Sequence, residues 1–159
     1  MAKSKPQTQD ILALIEADHR KVDQLFEEIS STKGAKKIQE CFNQIYKELT
    51  LHAEAEELVF YPAMREYDET EDYIEEAEEE HDEAKVLLEE MKSLKPGDDE
   101  FQSKLQELIA AVKHHVEEEE NEIFPAVREA MEDEELQQLA EEFQQSKAKL
   151  EPEVAAAIA

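Results

Sequence analysis

Two stretches of the chain repeat one arrangement of histidine and glutamate, HAEAEELVFYP at 52–62 and HVEEEENEIFP at 115–125. In each stretch a glutamate follows the histidine by four residues and a proline follows it by ten. Residues four apart lie on the same face of a helix, so one helix presents an imidazole beside a carboxylate. Both groups are ligands for transition metals. The pairs His52 with Glu56 and His115 with Glu119 therefore predict a metal site.

Two further histidines, His19 and His81, precede these stretches by 33 and 34 residues. Each of the four histidines fills a gap in a seam of apolar residues at helical spacing, so each is expected to point into the core. Burying four imidazoles and two carboxylates is costly unless a cation compensates them. We therefore expect six residues to bind metal, namely His19, His52, Glu56, His81, His115 and Glu119.

The number and type of these ligands suit two ions. A carboxylate from each of two helices can bridge the ions, and four histidines provide two terminal ligands for each ion, although the sequence does not allocate them. Six ligands with two carboxylates suit a pair of irons better than one tetrahedral zinc. The fifth histidine, His114, has the same spacing to Glu118 but falls off the apolar seam, so we expect it at the surface.

The helices that position these residues are separated by clear breaks at 31–36 and 93–100, which contain Gly34, Pro96 and Gly97, and by a weaker break at 66–72. Four long amphipathic segments remain, at about 8–31, 36–65, 70–94 and 100–130. Short connections between long helices favour antiparallel neighbours, so the expected fold is an all-α, up-down-up-down four-helix bundle at 8–130. A short extra C-terminal helix is predicted at 133–150, followed by a flexible tail at 151–159.

The composition limits the classes of partner. The 159 residues include 43 acidic and 17 basic side chains, for a net charge of −26. Such a surface repels phosphate backbones and anionic lipids, so neither a nucleic acid nor a membrane partner is expected. The start of the chain lacks the apolar core of a signal peptide, and Cys41 is the lone cysteine. We predict a cytoplasmic location.

The order of the lone His19, the first HxxxE, the lone His81 and the second HxxxE resembles the hemerythrin-like family, specifically the bacterial HHE cation-binding domains. The resemblance covers about residues 10–130. It implies a four-helix bundle holding two non-haem Fe ions with an oxo or hydroxo bridge and bridging carboxylates. It also implies small ligands, namely dioxygen, nitric oxide or peroxide, and a role in sensing or in redox and iron homeostasis. Phe60 and Phe124, about one turn after the glutamates, are candidates for the wall of the site, or ordinary core residues.

The sequence departs from the oxygen-carrying hemerythrins, which place an HxxxH on the third helix and end with HxxxxD. Here Ala77 and Lys85 flank His81 at four residues, and Glu119 follows His115 by four. These departures argue against simple oxygen carriage and leave oxidase or peroxidase activity open. One alternative is a ferritin-like di-iron oxidase or ferroxidase, built on Glu16-x-x-His19 and Glu78-x-x-His81. Another is a non-enzymatic iron-sensing module with the same ligands.

Overall fold

Long amphipathic helices account for almost all of residues 9–158, the part of the chain that the computed structural model describes. The helices are α1 (Ile11–Ser31), α2 (Ala35–Ala55), α3 (Tyr61–Met64), α4 (Asp68–Glu71), α5 (Ile74–Lys92), α6 (Asp99–Glu118), α7 (Phe124–Ala130) and α8 (Asp133–Ile158). Two π-helical turns, Glu56–Phe60 and Glu119–Ile123, connect α2 to α3 and α6 to α7. No strand occurs between residues 9 and 158.

The four long helices α1, α2, α5 and α6 form two hairpins, with α1 packed on α2 and α5 packed on α6. Asp10 begins α1 by accepting a hydrogen bond from the Ala13 amide at 2.9 Å. Gly34 allows the tight turn into α2, because its φ of 98° lies in a region that other residues avoid. The helix α8 packs against α1 and α2. The predicted four-helix bundle with an extra C-terminal helix is confirmed.

The apolar interior is divided into two clusters along the bundle axis. One contains Ile15, Phe60 and Ile123, and the other contains Val22, Leu88 and Leu108. The six buried residues predicted as metal ligands belong to neither cluster. On α1, for example, His19 falls between Ile15 of one cluster and Val22 of the other. The polar layer is therefore enclosed above and below by apolar side chains.

The C-terminal helix is longer than the sequence predicted. The expected helix ended at 150 with a flexible tail beyond it, but α8 continues to Ile158 with Pro152 inside it. The prediction of a tail was therefore wrong for 151–158. Val154 is buried, and Leu150 and Ile158, four residues to either side, pack against the same apolar cluster. The predicted domain start at residue 8 and the final residue 159 lie outside the described residues.

The two prolines of the repeated stretches lie just beyond the points where regular α-helical hydrogen bonding is interrupted. Pro62 and Pro125 lie in the first turns of α3 and α7, each directly after a π turn. The Tyr61 amide bonds the Glu56 carbonyl, five residues back, and the Phe124 amide bonds the Glu119 carbonyl in the same way. A π turn stacks residues five apart rather than four. At the first π turn this brings the Tyr61 hydroxyl to 3.4 Å from Glu56 Oε1.

No helix within residues 9–158 combines the length and the apolar character needed to cross a bilayer.

Candidate metal centre

The bundle brings the six predicted ligands together in one buried layer. Glu56 and Glu119 are fully buried, and the four histidines are 4 to 8% exposed. Their ligand atoms form two groups, each with all atoms within 4.8 Å of one another. One group is His19, His52 and Glu119, and the other is Glu56, His81 and His115. Each group thus joins two histidines from one hairpin with a glutamate, as the similar spacings of 33 and 34 residues suggested.

The two glutamates lie between the groups. Glu56 Oε1 is 3.1 Å from His81 Nε2 in its own group and 3.4 Å from His52 Nε2 in the other. Glu119 Oε1 is 3.0 Å from His19 Nε2, while its Oε2 is 3.8 Å from His115 Nε2 in the opposite group. Each carboxylate therefore reaches histidines of both groups, which is the placement that a bridging ligand requires.

Most of the atoms that face the centre of this layer have no hydrogen-bond partner among residues 9–158. The buried atoms without a hydrogen bond are His19 Nε2, His52 Nε2, His115 Nε2, Glu56 Oε2 and both carboxylate oxygens of Glu119. The 3.0 Å approach of His19 Nε2 to Glu119 Oε1 lacks the geometry of a hydrogen bond. Leaving one buried polar group unsatisfied costs about 1–3 kcal/mol. Because imidazole nitrogens and carboxylate oxygens are metal ligands, cations at the centre would satisfy the whole set. The donor set therefore fits the metal pair that the sequence implied.

The outward nitrogen of every histidine is held by a carboxylate. The Nδ1 atoms of His19, His52, His81 and His115 lie 2.7 to 2.9 Å from oxygens of, respectively, Glu120, Asp18, Glu57 and Glu80. Donation from Nδ1 leaves Nε2, the inward atom, free to act as a ligand. Carboxylates in this position fix the ring orientation and make the inward nitrogen a better metal ligand.

Three of the four outer carboxylates are in turn paired with a permanent cation. Arg20 lies 2.6 Å from Glu120, Lys147 lies 2.8 Å from Asp18, and Lys85 lies 3.1 Å from Glu57. The fourth, Glu80, faces the imidazole of His114 at 3.4 Å. His114 is on the surface, 64% exposed and 2.9 Å from Glu118, in the surface position that the sequence indicated. Charge therefore alternates outward from the buried layer.

The pKa values reflect these carboxylates. Burial acts to lower the pKa of His52, but Glu56 and Asp18 outweigh it and raise the pKa to about 10. The same balance, with Glu56 and Glu57, raises the pKa of His81 to about 9. Burial and the neighbouring Glu56 raise the pKa of Glu119. Without an ion, the imidazoles of His52 and His81 therefore favour their protonated forms.

One side chain breaks the two-fold repetition of the site. Each site residue of the first hairpin has its counterpart 62 or 63 residues later, but Tyr61 corresponds to Phe124. The buried Tyr61 hydroxyl is 3.1 Å from His81 Nε2 and 3.4 Å from Glu56 Oε1. Burial and the adjacent carboxylates raise its pKa well above the ordinary value, so the hydroxyl stays protonated and can donate. Among residues 9–158, only the Glu56, His81 and His115 group therefore has a phenol beside it.

The sequence did not indicate Tyr61, because a step of four from Glu56 points to Phe60 and the π turn was not foreseen. Phe60 and Phe124 instead contact each other nearly perpendicularly, with ring centroids 6.4 Å apart, in the apolar cluster that contains Ile15. The outer carboxylates were missed as well. A signal did exist, since each directly precedes or follows a predicted ligand in the chain, but 43 acidic residues obscure it.

Comparisons with known proteins agree with this geometry. The chain matches the Hemerythrin family, described as the hemerythrin HHE cation binding domain, over residues 10–127. It is 40% identical over 148 residues to a Nostoc protein named DNA nickase, covering 93% of this chain and 42% of that protein. It is 30% identical over 132 residues to an uncharacterized hemerythrin-like protein of Schizosaccharomyces pombe, covering 82% of this chain and 65% of that protein. The chain thus spans less than two thirds of either relative.

A solved structure shares the fold. It is a hemerythrin HHE cation binding domain-containing protein from Mycobacterium kansasii, 21% identical, with a TM-score of 0.78. The match covers 94% of this chain and 97% of that one, so the likeness includes the extra helix beyond the four-helix bundle. The family match, the relatives and the layer of histidines and glutamates lead to one conclusion: the chain belongs to the hemerythrin HHE cation-binding domain family.

Proposed function

We propose that the chain is a non-haem di-iron protein that binds or reacts with dioxygen, nitric oxide or peroxide, in sensing or in redox and iron homeostasis. The observation that carries this proposal is the set of unpartnered buried nitrogens and oxygens that converge between the four long helices. His19, His52 and Glu119 would hold one ion, and Glu56, His81 and His115 the other. Glu56 and Glu119 would bridge the two ions.

The ligand set supports iron over zinc. Two histidines and a shared pair of carboxylates per ion leave positions open for an exogenous ligand, whereas a structural zinc site is closed and tetrahedral. A bound iron pair supplies reversible electron transfer and these open positions. The chain itself orients the imidazoles through Nδ1, keeps water out with the apolar clusters, and presents the protonated Tyr61 hydroxyl beside His81.

A cavity beside the histidines supports a small ligand. It has a volume of about 50 Å³ and lies between the four long helices, with His19, His52, His81 and His115 on one side. Its other walls are largely apolar, with Val22, Leu49, Ala84, Leu88 and Val112 among them. A water molecule occupies about 10–15 Å³ on this scale, so a diatomic molecule or peroxide fits.

Metal content and visible absorption of the freshly purified protein test the proposal. We expect about two irons per chain and an oxo-to-iron charge-transfer band that changes when the reduced protein meets dioxygen, nitric oxide or peroxide. His52→Ala should lose iron and the band, whereas His114→Ala, which removes an exposed histidine, should keep both. A colourless protein that holds zinc or no metal, or iron that survives His52→Ala, would refute the proposed centre.

The ferritin-like alternative is less well supported. Its two additional carboxylates do not face the buried layer, because Glu16 is exposed and Glu78 forms a surface ion pair with Arg65 at 3.1 Å. The iron-sensing alternative uses the same ligands as the proposed centre. Turnover separates a sensor from an oxidase or peroxidase. A sensor binds the ligand without consuming it, whereas an oxidase or peroxidase consumes it over many cycles when a reductant is supplied.

A second candidate function is DNA cleavage, because the Nostoc relative is named a DNA nickase. The net charge of −26 opposes contact with a phosphate backbone, so we expect no nicking by this chain. The measurement is conversion of supercoiled plasmid to open circles by the iron-loaded protein at low salt. Nicking that the wild type performs and His52→Ala does not would show instead that the likeness extends to DNA.

A further inference from the structure

The helix α8, which lies beyond the family-matched residues 10–127, reaches one histidine of the metal centre from two directions. The Phe143 ring meets the His52 ring nearly perpendicularly, with centroids 6.0 Å apart. Lys147, one turn later, lies 2.8 Å from both oxygens of Asp18, which accepts the His52 Nδ1 hydrogen bond at 2.9 Å. The Lys147 ammonium also lies 5.5 Å from the centre of the Phe143 ring. These four side chains form a closed ring of contacts.

This ring fixes both the orientation and the electronic character of His52. Phe143 is 1% exposed and restrains the imidazole plane by packing. Lys147 lies 2.8 Å from both oxygens of Asp18 and so balances the charge of the carboxylate that holds His52 Nδ1. An ionised carboxylate on Nδ1 strengthens the inward nitrogen as a ligand. Two α8 residues thus prepare His52 to bind metal.

The counterpart of His52 in the other group, His115, has no such support. Its carboxylate, Glu80, forms no ion pair with a lysine or arginine of residues 9–158. Glu80 instead faces His114, an exposed imidazole that also contacts Glu118. His19 and His81 do not differ in this respect. The carboxylate that holds each of them, Glu120 or Glu57, is paired with an arginine or a lysine. The difference between the two groups therefore lies between His52 and His115.

We propose that α8 makes the two metal positions unequal. The ion held with His52 is retained, and the ion held with His115 is the one that exchanges. Lys147 and Phe143 are positioning residues, since they act through Asp18 and the His52 ring rather than by touching the ion. The inference rests on the proposed metal centre and adds that a helix outside the matched family domain controls half of it.

Metal release from the full chain tests this inference. The metal-free protein is loaded with two equivalents of Zn²⁺, and release to an excess of a chromogenic chelator is followed by stopped flow. The wild type should release its ions in one fast and one slow phase. Lys147→Gln should accelerate the slow phase by up to about 10-fold and leave the fast phase unchanged, because loss of a group bonded directly to a ligand costs about 10–100-fold in affinity and Lys147 acts through such a group. Phe143→Leu should accelerate the same phase.

The matched control is Lys149→Gln, an exposed lysine of α8 whose removal changes the net charge equally. It should leave both phases unchanged. A gain-of-function variant excludes a merely structural effect of Lys147. His114→Lys should give Glu80 a permanent cation and slow the fast phase.

The outcomes separate the two proposals. Failure of the wild type to take up two ions, whether Zn²⁺ or Fe²⁺, would refute the metal centre and this inference with it. If two ions bind but Lys147→Gln changes neither release rate, or changes only the fast phase, the role of α8 is refuted and the metal centre is not.

Discussion

At the scale of single residues, the site is built from pairs in which a histidine donates outward to a carboxylate and presents its other nitrogen inward. The same pairing occurs four times, at His19, His52, His81 and His115. Its effect is to replace free rotation of each ring by one orientation before any ion arrives. The cost is a set of inward atoms that have no partner without a cation.

Protonation of the metal-free site opposes metal binding. The raised pKa values of His52, about 10, and His81, about 9, mean that both rings are protonated at neutral pH. An ion must displace these protons, so binding near pH 7.5 should release about two protons per chain, and affinity should rise with pH toward 9. Calorimetry in buffers of different ionisation enthalpy measures the release. Binding heats that do not depend on the buffer would contradict the prediction.

Tyr61 should favour anionic ligands at the site. Replacing it with Phe removes the buried hydroxyl 3.1 Å from His81 Nε2 and leaves the six ligands in place. We expect Tyr61→Phe to keep its iron and to bind azide about 2- to 10-fold more weakly, since one hydrogen bond contributes about 0.5–1.5 kcal/mol. Azide titration followed by visible absorption measures this change.

The control for that experiment is Tyr46→Phe. Tyr46 belongs to the apolar cluster that contains Val22, and its hydroxyl donates a hydrogen bond to Glu89, away from the ligand layer. Its azide affinity should equal that of the wild type. Phe124→Tyr places a second hydroxyl at the two-fold related position and should restore part of the affinity in the Tyr61→Phe background. Equal affinity in the wild type and Tyr61→Phe would show that the phenol does not contact the ligand.

At the scale of elements, two features adapt a plain bundle to the site. The π turns add a residue after each glutamate, and the first of them brings the Tyr61 hydroxyl to the ligand layer ahead of Pro62. The helix α8 covers α1 and α2, where Leu136, Leu139 and Phe143 complete the apolar core. Both features lie outside the regular pattern of four antiparallel helices.

Docking of α8 should contribute measurably to stability. Phe143 is buried against His52 and the apolar cluster, so Phe143→Ala removes a large side chain and leaves a cavity. We expect the free energy of unfolding of the metal-free protein to fall by about 3–5 kcal/mol. Urea denaturation followed by circular dichroism measures it. Leu58→Ala, at a side chain that is 59% exposed, should change the value by less than about 0.5 kcal/mol. Equal effects of the two variants would show that α8 is not docked.

At the scale of the whole molecule, the net charge of −26 means that surface carboxylates repel one another, and this repulsion destabilises the folded state. The ion pairs around the site relieve it only locally, since 43 acidic residues face 17 basic ones. The same field concentrates cations near the molecule and so favours delivery of metal to the buried layer.

Added salt should therefore stabilise the protein. Screening at about 0.5 M ionic strength shortens the range of the repulsion to a few ångströms, so the melting temperature of the metal-free chain should rise between low and high NaCl. Differential scanning calorimetry measures the shift. A melting temperature that falls with NaCl would mean that the ion pairs, including Lys147 with Asp18, outweigh the net repulsion.

The sequence by itself determined the helices, their order and the six residues that meet in the core. It did so because burial on a helix leaves a periodic pattern, and polar residues on that pattern stand out. His114 could be separated from His115 for the same reason. The end of α8 was missed because alanine-rich residues with one buried valine resemble a tail until the surface that covers Val154 is known.

Only the tertiary structure decided which histidines share a group, which carboxylates hold them and where Tyr61 points. Those contacts join residues up to 129 positions apart, as between Lys147 and Asp18, and no local periodicity records them. Because of the π turn, the aromatic residue beside Glu56 is Tyr61, one position later than the Phe60 that regular α-helical spacing predicts. The sequence shows the two-fold repeat, but only the packing of the helices shows that the two groups differ. Tyr61 lies beside the group of Glu56, His81 and His115, and α8 contacts the group of His19, His52 and Glu119.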